Sequence, residues 1–351
     1  MVKRKIPLAL IFGGAGCERD ISVKSAEGLY EALKEAGATA SPTFIDPRGN
    51  WFLARDDGTS PLSLANDPKA LGEAVYPKRI GDVGGLATER ELKEVSVAIP
   101  ILHGDFGEDG RIQGALDTAG IPFVGCPVEA SAICRSKAIL KAILKNYGIP
   151  MLEWVEIPRT DNIEAAVLRT EATLGYPIFV KPTSLGSSVG AGPARDREEL
   201  RRRLASARAL SDCVMAERYL DKRRELECAF FEYKGKRYFT NPGEIRYNGD
   251  FYDYDTKYVR AGAQISAMTD AGHEICDKVR DISAKVADIV GLRHFSRIDF
   301  FLSETGEIYF NEINTIPGLT DASLFPLMVK GAGVDPCDLF LDLSRPNDRR
   351  I

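Results

Sequence analysis

The chain has 351 residues, 44% of them hydrophobic and 28% charged, a globular mix with enough apolar material for the cores of two or three domains. A net charge of −5 gives no electrostatic footing for nucleic acid, and no apolar run approaches the length of a membrane span. The seven cysteines, at 17, 126, 134, 213, 228, 276 and 337, form no C-x-x-C pair, which argues against a zinc knuckle or a disulfide framework and for a reducing cytosol.

Lys3, Arg4 and Lys5 ahead of an apolar run mimic a secretory signal, but the polar Cys17-Glu18-Arg19-Asp20 follows too soon. Residues 6–12 read better as a buried first strand. Gly13 to Gly16 make a loop, Asp20 or Ser22 is positioned to cap a helix reaching about Ala36, and residues 40–46 suit a second strand, together a βαβ opening. Residues 48–90 are turn-rich and predict surface hairpins. A buried strand over 95–102 ends at His103. Near Pro122 to Pro127 the chain leaves this first unit. A helix is predicted over 131–147 and stops at Gly148. Then come a strand over 178–181, a Gly/Ser loop, a basic helix over 197–210 and a strand over 214–219. From Glu225 onward strands dominate, over 226–233 and 236–240, with a helix over 274–290 before a final hairpin. There is no internal repeat. The fold class is thus α/β followed by α+β, with divisions near residues 125 and 220.

The final hairpin, RIDFFLSETGEIYFNEINTIPG from Arg297 to Gly318, raises a chemical question. With Thr305-Gly306 as a two-residue turn, Asp299 faces Glu312, Arg297 faces Asn314 and Phe301 faces Phe310, so one sheet face collects Arg297, Asp299, Glu312 and Asn314. An odd-length loop without a compensating bulge would split that face. Two carboxylates opposite each other repel. Either Arg297 offsets them as a structural ion pair, or a divalent cation does, for which Asp, Glu and Asn oxygens are suitable donors.

Other stretches carry weaker signals. In Gly14-Ala-Gly16-Cys-Glu-Arg19 the third glycine of a dinucleotide fingerprint is Arg19, which argues against a nicotinamide dehydrogenase. Glu18, on a loop above a parallel sheet, is either a solvated acid or a group that orients an ammonium. HGDFGEDGRIQG, residues 103–114, lets backbone approach a ligand closely; His103 is either a ligand contact or a satisfied core histidine. FVKPTSLGSSVG, residues 179–190, sets Lys181 at a strand end before a loop of amides and hydroxyls, either a phosphate cradle or a plain mobile hairpin. Residues 241–264 have little regular pattern, as in a lid, although Tyr252, Tyr254 and Tyr258 could simply pack.

Taken together, HGDFGEDGRIQG, VKPTSLGSSVG, RELEC, FYDYDTKY, RIDFFL and NEINTIPGLTDASLFP resemble the D-alanine–D-alanine ligase family of the ATP-grasp superfamily, over nearly the whole chain. The resemblance implies an ATP-grasp fold of three domains: an N-terminal Rossmann-like parallel sheet (1–125), a small central α+β subdomain (126–219) and a C-terminal α+β subdomain (220–351). It implies ATP-driven joining of two D-alanine molecules through an acyl phosphate, for peptidoglycan precursor synthesis, by a cytoplasmic enzyme, as a homodimer, with neither nucleic acid nor membrane as a partner. Two Mg²⁺ ions, with Mn²⁺ as a possible substitute, would sit on Asp299, Glu312 and Asn314. Lys137, Lys181 and Lys257 would hold phosphate, and Glu217, Leu220 and Glu225 the adenine and ribose. Glu18, Ser187 and Tyr258 would link N-terminal domain, flap (183–190) and lid (241–264) around the first D-alanine, with His103 beside it. Arg297 and the Gly318 amide would stabilise the oxyanion, and Ser323 and Leu324 the second D-alanine's carboxylate. By the same resemblance, Tyr258 would favour D-alanine over D-lactate as second substrate.

Two departures stand out. Cys134-Arg135-Ser136 precedes Lys137 where relatives often carry Met-Asp, which makes Lys141 a rival phosphate lysine. Arg218 replaces a common lysine near the adenine. A D-alanine–D-lactate ligase and a non-catalytic nucleotide-binding regulator are the alternative readings.

Overall fold

The computed structural model describes residues 2–55, 58–67, 72–184, 190–247, 263–320 and 323–345. The opening apolar run forms β1 (Val2–Gly13), which lies parallel to both its neighbours, β2 (Ala40–Ile45) and β6 (Leu92–Ile101). Its residues Leu8 to Phe12 are all buried, as a central parallel strand requires. Residues 48–90, expected as surface hairpins, form a tight hairpin of β4 (Glu73–Ile80) and β5 (Val83–Ala87) and also supply β3 (Trp51–Leu53) and α2 (Pro61–Asn66). These antiparallel strands join β2 to β6 and close the sheet into a barrel, so neither edge of the parallel trio is left open.

Helix α1 (Arg19–Glu35) begins earlier than its candidate caps suggest. Glu18 is the N-cap and Asp20 lies inside the first turn. The Ser22 hydroxyl serves the sheet instead, accepting the Gly13 N–H at 2.8 Å and donating to the Ile101 carbonyl. After β6, the Gly-rich loop leads into α3 (Arg111–Thr118). The helix expected over 131–147 is two helices, α4 (Val128–Arg135) and α5 (Lys137–Asn146). Ser136 between them is extended and its hydroxyl caps α5, while the Lys137 N–H donates to the Thr183 carbonyl at 3.2 Å. A serine that satisfies the new helix start makes the break inexpensive.

The second sheet is antiparallel, in the order β7 (Trp154–Pro158), β10 (Cys213–Arg218), β8 (Ile178–Pro182), β9 (Gly192–Ala194). With α6 (Ile163–Leu174) and α7 (Arg197–Arg208) it encloses a core of its own, including Ile157, Val167, Val180, Leu200, Leu204 and Val214. The third sheet runs β14 (Ala263–Ser266), β13 (Gly243–Tyr247), β11 (Arg224–Tyr233), β15 (Phe295–Leu302), β16 (Ile308–Asn314), with β12 (Lys236–Phe239) also paired to β11.

Alternation along β11 and β15 divides the third sheet between two cores. Leu226, Cys228, Phe230, Ile298 and Phe300 face α4, α5 and the helix His273–Val290. Ala229, Phe231 and Phe295 face the other way, sharing a core with Phe12, Leu29 and Leu33 of the first unit and with Phe325 and Phe340 of the closing helices Leu324–Gly331 and Pro336–Leu343. That second face is apolar under the first unit. Towards Glu227, Arg297 and Asp299 it becomes charged, and there it opens opposite the central sheet.

Candidate active site

The charged face depends on the β15–β16 register. Arg297 pairs with Asn314 and Asp299 with Glu312, as the alternation predicts. Nearer the turn the expected pairing fails: Phe300 pairs with Phe310 and Phe301 with Tyr309. The turn holds three residues, not two. Ser303 and Glu307 close it, and Gly306, at φ +83°, takes the left-handed position that such loops require. A regular ladder from that turn would set Asn311 opposite Asp299 and send Glu312 into the apolar face. A bulge at Asn311 adds the residue that restores Glu312. Phe310 accordingly turns away from the charged face and packs edge-on to Phe300.

The two carboxylates meet cations on this face. Arg297 donates two hydrogen bonds of 2.8 Å to the Asp299 carboxylate and lies 3.1 Å from Glu227 on β11, the residue paired with Asp299 on its other side. Asn314 donates to Asp299 at 2.9 Å, and Lys137 lies 3.2 Å from Glu312. Charge compensation by Arg297 and Lys137 is therefore built in, whatever else binds. As metal donors, Asp299, Glu312 and Asn314 offer hard oxygens that suit Mg²⁺ or Mn²⁺. Among the described residues there is no cluster of three or more His, Cys, Asp and Glu with ligand geometry; the candidate set is two carboxylates and an amide.

This face forms one wall of a cleft of about 490 Å³. Every expected site residue among the described ones lines it; Ser187, Lys257 and Tyr258, with much of the flap and lid, lie outside the described residues. Lys181, on β8, crosses the cleft from the central sheet. Its ammonium lies 2.5 Å from Glu217 and donates to the Asn311 side chain at 3.3 Å, a contact that the bulge creates. Glu217 is buried, and its second oxygen takes the ammonium of Lys141. Burial alone would raise its pKa; the two lysines more than reverse this and hold it at about 2. Of the two rival lysines, Lys141 is enclosed behind Glu217 and Lys137 lines the cleft. Next to Glu217, Arg218 turns its side chain to Glu153 at 2.8 Å. Phe179 and Tyr219 stack, and Arg223 lies over Tyr219 and Phe301 while donating to the Leu220 carbonyl and pairing with Glu225. Flat rings and a guanidinium plane suit a purine.

At the other end the first unit supplies the walls. Glu18 packs against Gly104, where a Cβ would stand 2.3 Å from its carboxylate oxygen. Burial lowers the His103 pKa, and both ring nitrogens are engaged: Nδ1 bonds the Ile316 carbonyl at 2.9 Å and Nε2 meets the Ser25 hydroxyl at 3.1 Å. A neutral ring that donates from Nδ1 accepts at Nε2. Glu108 accepts N–H bonds from Gly104 at 3.0 Å and Ile316 at 3.4 Å, and Ser25 accepts from Leu319 at 3.4 Å. Three side chains of the first unit thus fasten the loop on both sides of Gly318. Ser323 stands at the N-cap position of the helix that Leu324 opens without capping it through its side chain, and its hydroxyl meets that of Thr320 at 2.8 Å.

Sequence reasoning passed over several of these residues. Glu227 was legible as the alternate neighbour of Glu225 in one strand. Asn311, Ser25 and Glu108 acquire roles only from the bulge and from contacts far along the chain. Arg135, paired with Asp105 at 2.8 Å beside Glu18 and Glu108, and Lys24 also line the cleft; neither carries a local sequence signal.

Two antiparallel-rich sheets that face each other across a nucleotide-sized cleft, with Lys181 on one and the acids Asp299 and Glu312 on the other, define the chain as an ATP-grasp protein. The sequence profile of the D-ala D-ala ligase N-terminus matches residues 7–126 and that of the D-ala D-ala ligase C-terminus residues 143–344. The D-alanine--D-alanine ligase A of Chromobacterium violaceum is 33% identical over 348 residues, covering 97% of this chain and 94% of that protein. Among solved structures, the D-alanine-D-alanine ligase from Coxiella burnetii superposes with a TM-score of 0.83 at 28% identity, covering 97% of this chain and 93% of that one. The VanG D-Ala:D-Ser ligase from Enterococcus faecalis does so with 0.86 at 31% identity, covering 97% and 98%. The chain belongs to the D-alanine–D-alanine ligase family.

Proposed function

We propose that this protein joins two D-alanine molecules into D-alanyl-D-alanine, driven by ATP and a divalent cation, as a step in peptidoglycan precursor synthesis. The observation that carries the reading is the sheet face on which Arg297, Asp299, Glu312 and Asn314 converge opposite Lys181 and Lys137. Family membership and relatives bearing that name support it.

A free carboxylate is a poor acyl donor, so the first D-alanine is phosphorylated by ATP. Its amine then lies at Glu18 and its carboxylate towards the lysines. Lys137 and Lys181 take up phosphate charge. Asp299, Glu312 and Asn314 would hold Mg²⁺, with Mn²⁺ as substitute, and a cation there withdraws charge from the phosphoryl oxygens. With ADP formed in the first step, the second amine attacks the acyl carbon; the tetrahedral oxygen develops charge that Arg297 and the Gly318 amide stabilise, and its collapse breaks the C–O bond and expels inorganic phosphate as the nitrogen gives up its proton. Leu220, Glu225 and the backbone at Glu217 hold the nucleoside; Ser323 and Leu324 hold the second carboxylate. Ser187, Lys257 and Tyr258 complete the site, closing it against water that would hydrolyse the intermediate. His103 acts through the Ile316 loop.

Three units divided near residues 125 and 220, a homodimer and a cytoplasmic location belong to the same proposal. The separate core of the central sheet supports the three-unit division. The likeness to a D-Ala:D-Ser ligase makes D-serine the competing second substrate. Phosphate release with ATP, Mg²⁺ and D-alanine, with L-alanine as control, tests the reaction class; no D-alanine-dependent release would refute it. Product analysis with D-alanine alone and with added D-serine or D-lactate decides the second substrate, with D-alanyl-D-alanine expected to dominate.

A further inference from the structure

Lys141 is an ammonium that the reaction does not use, yet it is among the most deeply buried large side chains in the molecule. Its side chain and that of Glu217 are each 2% exposed. Its Nζ bonds Glu217 Oε1 and stands 5.6 Å from the centre of the Trp154 ring. Glu217 and Lys181 line the cleft and Lys141 does not. The three groups therefore form a line from the interior to the cleft: Lys141, then Glu217, then Lys181.

That line carries charge as well as filling space. A buried ammonium is costly unless paired, and a methionine would fill much the same volume. Two ammonium groups and one carboxylate leave a net single positive charge. Without Lys141, the carboxylate would have, among the described residues, only Lys181 to neutralise it. The cleft lysine would then belong to an internal ion pair, and a phosphate would have to compete with Glu217 for it.

We propose that Lys141 is a positioning residue for nucleotide binding, which occupies the Glu217 carboxylate from behind so that the charge of Lys181 acts on the phosphates of the nucleotide. The inference rests on the nucleotide reading of the cleft. It assigns Glu217 a second role, as the relay between the two lysines.

The test compares ADP and adenosine binding, each with Mg²⁺, in the parent protein, Lys141→Met, Lys141→Arg and the double variant Lys141→Met/Glu217→Gln. Lys141→Met should weaken ADP by roughly ten- to a hundredfold, the scale of one nearby charge in a partly buried site, and leave adenosine unchanged. The double variant restores the net charge and keeps an oxygen for Lys181, and should bind ADP within a few-fold of the parent; Lys141→Arg should do the same. Equal weakening of ADP and adenosine, or a double variant no better than the single, would overturn the proposal and leave Lys141 a packing residue. If Lys141→Met does not fold, the other two variants decide, since both must bind ADP nearly as the parent does. A parent protein that binds no ADP would instead refute the nucleotide reading itself.

Discussion

Arg297 shows how tightly single residues are coupled in the cleft. It answers Asp299 and Glu227 together, so its removal takes one cation away from two carboxylates as well as deleting the proposed oxyanion donor. Arg297→Met should lower kcat/KM by about 10²–10³ and stability by about 3 kcal/mol. Added Mg²⁺ should raise the Tm of the variant more than that of the parent, because the cation replaces the lost charge; an equal response would count against a metal at Asp299. Glu108 is the other sensitive group. Burial, then the Glu18 carboxylate, push its carboxyl up to about 7 from 4.5. Between those values the folded protein holds a proton that the unfolded chain has released, so stability falls as pH rises across that window, by about 3 kcal/mol in all. Urea midpoints measured across it should slope downward for the parent and flatten in Glu108→Gln. The hairpin's alternation made the Arg297–Asp299 pair legible, but the longer couplings were not readable locally: Lys141 and Glu217 lie 76 positions apart, and His103 and Ile316 lie 213 apart.

At the scale of elements, patterns were more legible than breaks. The alternation of Asp299, Glu312 and Asn314 with apolar residues was enough to place them on one face, because strand side chains alternate by rule. The turn was misjudged by one residue, since Ser-Glu-Thr-Gly allows a two- or a three-residue loop and nothing near it announces the bulge eight positions from Ser303. Gly306 is what the longer loop needs, and nothing lies within 4 Å of the Cβ it lacks. Gly306→Ala should therefore cost about 1–2 kcal/mol through backbone strain alone, readable as a lower urea midpoint; no loss would argue for a different turn. The split of one predicted helix at Ser136 was equally hidden, because 131–147 keeps its helical apolar period on both sides of the break. Its purpose is visible only in space, where it brings the Lys137 N–H to the Thr183 carbonyl.

The whole molecule shows why the cleft can be both firm and adjustable. The first and third sheets share one core, whereas the central sheet has another of its own. Lys181 reaches from the separately cored part to Asn311 of the other. A nucleotide gripped by both parts should stabilise them jointly: at about a hundred times its Kd, ADP with Mg²⁺ should add about 2.7 kcal/mol. Chelation of the metal should remove most of that gain in a thermal melt. Composition foretold several domains, but not that the first and last would be fused; the apolar stripe of α1 does not say which partner covers it.

The fused core has a consequence for biogenesis. Leu29 and Leu33 are covered by a surface that includes Phe325 and Phe340, which leave the ribosome some three hundred residues later. Until then the nascent amino-terminal portion presents a greasy flank, a natural client for chaperones. Expressed by itself, the portion up to residue 125 should aggregate, and supplying the remainder in trans should return it to solution.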